Sequence, residues 1–139
     1  MKRALYLDPF EWIIAYNLGL VHLNTAQYAS AFHYFSAALH LKPEFASTYM
    51  YIGIVLNKMG DNRNSCASFK RALEMKKEPT TYFNYAITLY NQGNEEEAKK
   101  MFNEGERMFQ ESDTKSRDSE PEMLEQRKEL VKALNINIT

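Results

Sequence analysis

A single cysteine, Cys66, stands among 139 residues, so the chain can form no internal disulfide. That composition suits a reducing compartment. Charge of one sign is also lacking: 17 basic residues face 18 acidic ones, for a formal net charge of −1 and a pI near 6.3. A nucleic-acid binder normally carries a basic face, and no such excess exists here. No apolar run approaches the roughly 18–20 residues that a membrane-spanning helix needs, so direct membrane insertion is not expected. Lys2 and Arg3 precede no apolar core of a secretory signal. Without that signal, the acceptor pattern Asn137-Ile138-Thr139 carries no glycosylation meaning. The five glycines are scattered and form no phosphate-cradling loop.

What the chain does have is a repeat. Three segments that start at Trp12, Ala46 and Pro79, spaced 34 and 33 residues apart, share one pattern. Their seventh residues are large (Leu18, Ile52, Tyr85) and their eighth are small (Gly19, Gly53, Ala86). The twentieth is small again (Ala31, Ser65, Ala98), the twenty-fourth is always phenylalanine (Phe35, Phe69, Phe102), and the twenty-seventh is small (Ala38, Ala72, Gly105). Two antiparallel helices approach closely only where side chains are small. The pattern therefore predicts helix pairs in which Gly19 faces Ala31, Gly53 faces Ser65 and Ala86 faces Ala98.

This period and pattern resemble the tetratricopeptide repeat, a helix–turn–helix unit that stacks into solenoids and binds other proteins. The expected fold is all-α: a right-handed tetratricopeptide-repeat solenoid, an α-α superhelix of three pairs, closed by a C-terminal capping helix. Residues 1–9 read as the end of a truncated preceding repeat, because Asp8-Pro9 sits where Pro43 sits one repeat later. Repeat one covers 12–45, with helices near 12–25 and 28–42. Repeat two covers 46–78, with helices near 46–59 and 62–76. Repeat three covers 79–110, with helices near 79–92 and 95–110.

Gly60-Asp61 and Gln92-Gly93-Asn94 mark the turns of repeats two and three. Ala26 replaces the glycine in repeat one, so a differently shaped turn is expected there. Residues 111–119 form a polar linker. Residues 120–139 supply the capping helix and tail, with Ser119 and Glu122 at capping-box spacing. Met123, Leu124, Leu130, Val131 and Leu134 make its apolar stripe.

No residue set points to catalysis, a cofactor or a metal. His22 occupies a packing position, and His33 and His40 lie on the outside of a second helix, with no cysteine or carboxylate at zinc-ligand spacing. Cys66 reads as a buried, inert cysteine. Glu95-Glu96-Glu97 opens a helix, where the dipole favours negative charge.

Binding is the expected business of the chain. In the repeat family the first helices line a concave surface, through their second, fifth, sixth and ninth positions. Here these are Ile13, Tyr16, Asn17 and Leu20; Ser47, Met50, Tyr51 and Ile54; Thr80, Phe83, Asn84 and Ile87. They form a ribbon of apolar and aromatic groups with asparagines along it, the composition of an interaction surface. Because Met50 is expected to face outward, Met50→Glu should leave folding nearly intact and weaken assembly. Repeats that bind chaperone C-termini use a basic clamp on these helices. Here the first helices carry one basic residue, Lys58, and none at the ribbon positions. An adaptor holding a short peptide in the groove remains the alternative reading, but not one of the carboxylate-clamp type. The uncovered face of the first helix is expected to fray or to support self-association.

Two segments carry a narrower likeness. DPFEWIIAYNLGLVHLNTAQYASAFHYFSAAL (8–39) and NYAITLYNQGNEEEA (84–98) are similar to the Bardet–Biedl syndrome 4 family, tetratricopeptide subunits of the BBSome coat. The likeness continues through SEPEMLEQRKELVKAL and is weakest in repeat two. It implies a non-enzymatic scaffold that takes part in ciliogenesis and in trafficking membrane proteins to and from cilia. The implied partners are other BBSome subunits and the pericentriolar material 1 protein. The implied locations are the cytoplasm, cilium, basal body, centrosome and centriolar satellites.

Overall fold

The computed structural model describes residues 10–111 and 121–134. Every element among them is a helix: α1 (Glu11–Asn24), α2 (Tyr28–Leu41), α3 (Ala46–Lys58), α4 (Asn62–Met75), α5 (Pro79–Asn91), α6 (Glu95–Glu111) and α7 (Pro121–Leu134). The expected stub at 1–9, the linker at 111–119 beyond Glu111, the capping box at Ser119 and Glu122, and the glycosylation pattern lie outside the described residues. The chain divides into two compact units, residues 1–68 and 69–139, with the division inside α4.

The turn within each pair is built the same way three times. In repeat two, Asp61 N–H donates to Leu56 C=O at 2.9 Å and Gly60 N–H to Asn57 C=O at 3.1 Å. In repeat three, Asn94 N–H donates to Leu89 C=O at 2.9 Å and Gly93 N–H to Tyr90 C=O at 3.0 Å. This is the left-handed helix stop that glycine favours, and Gly60 and Gly93 sit at φ of 88° and 85°.

Repeat one departs from expectation by not departing. Ala26 holds φ of 60°, with Gln27 N–H donating to His22 C=O at 2.8 Å and Ala26 N–H to Leu23 C=O at 3.1 Å. The packing of α1 on α2 imposes the turn, and Ala26 bears the left-handed strain. The next helix starts differ. Asp61 Oδ1 accepts from Asn64 N–H at 3.2 Å and Asn94 Oδ1 from Glu97 N–H at 3.4 Å, whereas α2 has no side-chain cap.

In the first unit, α1 packs on α2 and α2 on α3. Ala31, Phe35, Ile52 and Val55 form its core, and Tyr16, Leu20, Leu23, Tyr51 and other half-buried groups close around them. A methyl group placed on Gly19 would lie 2.7 Å from the Phe35 ring. The ring of Phe35, rather than the Cβ of Ala31, is therefore what Gly19 makes room for. Ser65 Oγ donates to Gly53 C=O at 2.6 Å, so that close approach is sealed by a buried hydrogen bond.

The second unit repeats the logic. Gly105 on α6 lies where a Cβ would come 2.8 Å from Phe83 and 2.9 Å from Tyr82 on α5. Phe69, Phe83, Ala86, Ala98 and Phe102 are fully buried there. Two of the three repeat phenylalanines also stack on an aromatic of the next first helix: Phe35 on Tyr51 at 5.5 Å, and Phe69 on Tyr85 at 5.1 Å.

Two stability changes follow, both read from thermal melts. Gly19→Ala should destabilise by about 1–2 kcal/mol, because overpacking against an immobile ring outweighs the ~1 kcal/mol that alanine gains in a helix. Ala26→Gly should stabilise by about 0.5–1 kcal/mol. Left-handed alanine costs roughly 1–2 kcal/mol, and glycine's extra unfolded freedom offsets about half of that. A lowered melting temperature for Ala26→Gly would contradict the strained turn.

Candidate protein-interaction surface

The ribbon positions are not the outward-facing set that the repeat spacing predicts. On α1, Ile13, Tyr16 and Leu20 are half-buried and Asn17 is exposed. On α3, Ser47, Tyr51 and Ile54 are half-buried, but Met50 is only 4% exposed. On α5, Thr80 and Ile87 are half-buried, while Phe83 is fully buried and Asn84 is 8% exposed.

Packing along the stack explains the difference. Tyr16 and Leu20, the fifth and ninth positions of repeat one, close on the core of Ala31, Phe35, Ile52 and Val55. Tyr16 is already engaged edge-on by Trp12, Phe35, Phe45 and Tyr51, at centroid distances of 5.3–6.2 Å. Lys42 Nζ covers the Trp12 ring at 5.2 Å. Phe83 packs on Phe102 and Phe109, against Gly105.

The exposed apolar surface lies elsewhere. Phe10 is 64% exposed, Ile14 59%, Leu18 37% and Val21 56%, and their spacing makes one stripe along α1. Ile14, Leu18 and Val21 are the third, seventh and tenth positions of repeat one. Their equivalents are buried in both later repeats: Thr48, Ile52 and Val55 on α3, and Thr81, Tyr85 and Thr88 on α5. The stripe is thus a stacking face without a cover among the described residues. The repeat pattern singled out only the seventh position, Leu18 here, as large. That these positions carry the exposed surface follows from comparing the three repeats' burial.

Polar groups are mostly local. His22 stacks on Tyr34 at 5.0 Å and its Nδ1 lies 3.2 Å from Gln27 Oε1, while His33 and His40 are exposed. Cys66 is half-buried rather than fully buried as expected. Among the described residues, no three histidine, cysteine, aspartate or glutamate side chains converge on a point where a metal could sit. A depression of about 330 Å³ opens among α4, α5 and α6, with Leu73, Tyr82, Tyr85 and Met101 below and Lys70, Lys77, Glu74 and Glu97 around it. It presents no nucleophile beside a base.

The strongest polar contact ties α7 to α6. Arg127 Nε and Nη2 donate to the two carboxylate oxygens of Glu106, and the guanidinium lies over Phe109 at 5.1 Å. Burial pushes the Glu106 carboxyl up, but hydrogen bonds from Arg127 and Gln110 and the Arg127 charge outweigh it, and the pKa falls below its ordinary value. Asp61 is held low by side-chain and backbone hydrogen bonds from Asn64.

This helix–turn–helix architecture defines a repeat protein of the solenoid class. The tetratricopeptide-repeat model matches residues 14–45, 46–79 and 79–110, and the chain belongs to the tetratricopeptide-repeat family. The chain is 40% identical, over 98% of its length, to BBSome complex member BBS4 of Xenopus tropicalis, and spans 27% of that relative's length. Its fold is shared with the Yersinia enterocolitica type III secretion translocator chaperone SycD, at a TM-score of 0.70 and 16% identity, covering 96% of this chain and 92% of that one. A complex of the same chaperone with a peptide of the translocator YopD matches at 0.64 and 18% identity, covering 84% and 88%.

Two outcomes test this geometry. Met50→Glu should destabilise by roughly 3–5 kcal/mol, since it buries an unpaired charge. A near-wild-type melt would mean that the position is open. Both lowered carboxylates add stability that is fully present above about pH 4–4.5, where the unfolded groups titrate, and that is lost as pH falls through their lower folded values. Melting temperature should therefore be flat from about pH 7 to 5 and drop below about pH 4, and Glu106→Gln should shrink that drop.

Proposed function

We propose that the chain is a non-enzymatic protein–protein interaction scaffold, working as part of a BBSome coat subunit. The observation that carries this reading is the identity to a BBSome member across nearly the whole chain. The finer role we infer is trafficking of membrane proteins to and from cilia and support of ciliogenesis. Its partners would be other BBSome subunits and the pericentriolar material 1 protein. Its setting would be the cytoplasm, with the cilium, basal body, centrosome and centriolar satellites.

The α1 stripe supports a scaffold that binds over broad helical faces. A repeat surface whose equivalents are buried twice in the same chain is shaped to receive a helix, from a partner or from a second copy. An adaptor that grips a short peptide in the groove is the second reading, and exposed Asn17 is the feature in its favour. Buried Met50, Phe83 and Asn84 weigh against it, because three of its expected contacts are already spent inside the fold.

Ile14→Glu with Val21→Glu should leave the melting temperature nearly unchanged, since both side chains already face water. The pair should sharply reduce recovery of BBSome subunits when the tagged chain is isolated from ciliated cells. Recovery of none by the unmodified chain would sink the coat reading. Full recovery by the double variant would remove the stripe from it.

A further inference from the structure

The helix that follows a pair does not always sit in the same place. α3 packs on α2, the second helix of the pair before it. α7 does the reverse: it lies chiefly against α5, the first helix of its pair, and only lightly against α6. One repeat position is occupied twice by the same residue in different surroundings. Asn17 is exposed on α1, whereas Asn84 is 8% exposed on α5, with its Nδ2 donating to Thr80 C=O at 3.0 Å.

Among the described residues, the contacts that hold α7 in place are specific. Leu130 and Leu134 are 2% and 4% exposed, so they turn the helix's apolar side inward. One turn earlier, Arg127 grips Glu106 with two hydrogen bonds, both side chains being mostly buried. The contacts among the described residues read Arg-x2-Leu-x3-Leu along one face of the helix. Residues 112–120, which join α6 to α7, contain no apolar side chain. α7 itself has 14 residues, a length at which an isolated helix is marginal in water. Its helical state and its docking are therefore linked, as in segments that open without global unfolding.

We propose that α7 is an internal occupant of a helix-binding surface on α5, in competition with an amphipathic helix of a partner protein that carries the same Arg-x2-Leu-x3-Leu face. This rests on the scaffold reading above and says where one partner helix would dock and what must leave first. Tethered α7 holds an effective concentration in the millimolar range, so a free helix gains the site only when the Arg127–Glu106 grip is weakened.

The test uses the full chain and a fluorescent peptide of residues 119–136 as the probe helix. Arg127→Glu, which sets two carboxylates against each other, should bind the peptide at least tenfold tighter than the unmodified chain does, while keeping most of its helical signal. It should also sediment as a monomer. Equal, weak binding by a folded Arg127→Glu would overturn the proposal, and a dimer formed by exchange of α7 would replace the partner helix with a second copy. If Arg127→Glu fails to fold, native-state hydrogen exchange on the unmodified chain decides. α7 amides exchanging well before those of α5 and α6 support a displaceable occupant. One common rate for all three would make α7 a fixed part of the core. Because the probe is the chain's own helix, failure here leaves the coat reading untouched, and loss of BBSome recovery leaves this result standing.

Discussion

Two absent side chains set the geometry of both units. Gly19 admits the ring of Phe35, and Gly105 admits Phe83 and the Cβ of Tyr82. Each gap lets two helices approach until a fully buried aromatic fills the space between them, and the dispersion contacts so gained fall off steeply with small separations. The turns, the left-handed Ala26 among them, accommodate that approach rather than direct it. The buried bond from Ser65 to Gly53 does in a polar way what the rings do elsewhere.

The helices were legible because the repeat writes them three times. Small residues at the eighth, twentieth and twenty-seventh positions, and a phenylalanine at the twenty-fourth, mark the contact between two helices of a pair, a short-range matter of shape. What spacing could not tell is what lies beyond the pair. Met50 and Phe83 share a position with Tyr16, and pattern alone put all three on a free surface. Whether such a position is covered depends on the next helix, which the local period does not encode. Asn17 and Asn84 make the point with identical side chains in opposite environments. Ala26 was misjudged for a related reason: alanine's dislike of left-handed backbone is worth roughly 1–2 kcal/mol, less than the packing it would have to resist.

The exposed stripe on α1 and the latched helix α7 belong to different units and call on different forces. The stripe is exposed and largely aliphatic, so its binding is strong only where water is displaced over a matching face. The latch adds a two-point charged contact over an aromatic ring, which confers direction and register more than raw strength. A scaffold carrying both can hold one partner through area while selecting another through a few oriented contacts. That division suits a protein of the tetratricopeptide-repeat family, whose helix pairs are alike in outline and differ in the side chains they leave available.

The relay of stacked rings has an end, and the end matters for assembly. Phe35 passes to Tyr51 and Phe69 passes to Tyr85, but α7 offers Phe109 a guanidinium instead of a ring. Among the described residues, α6 and α7 expose no large apolar side chain to match the stripe on α1. Head-to-tail joining of copies would need a donor face and a different acceptor face. Unlimited growth into fibres requires such a heterologous pair. A contact between two α1 stripes would be of like with like, and such an isologous pair closes on itself after two copies.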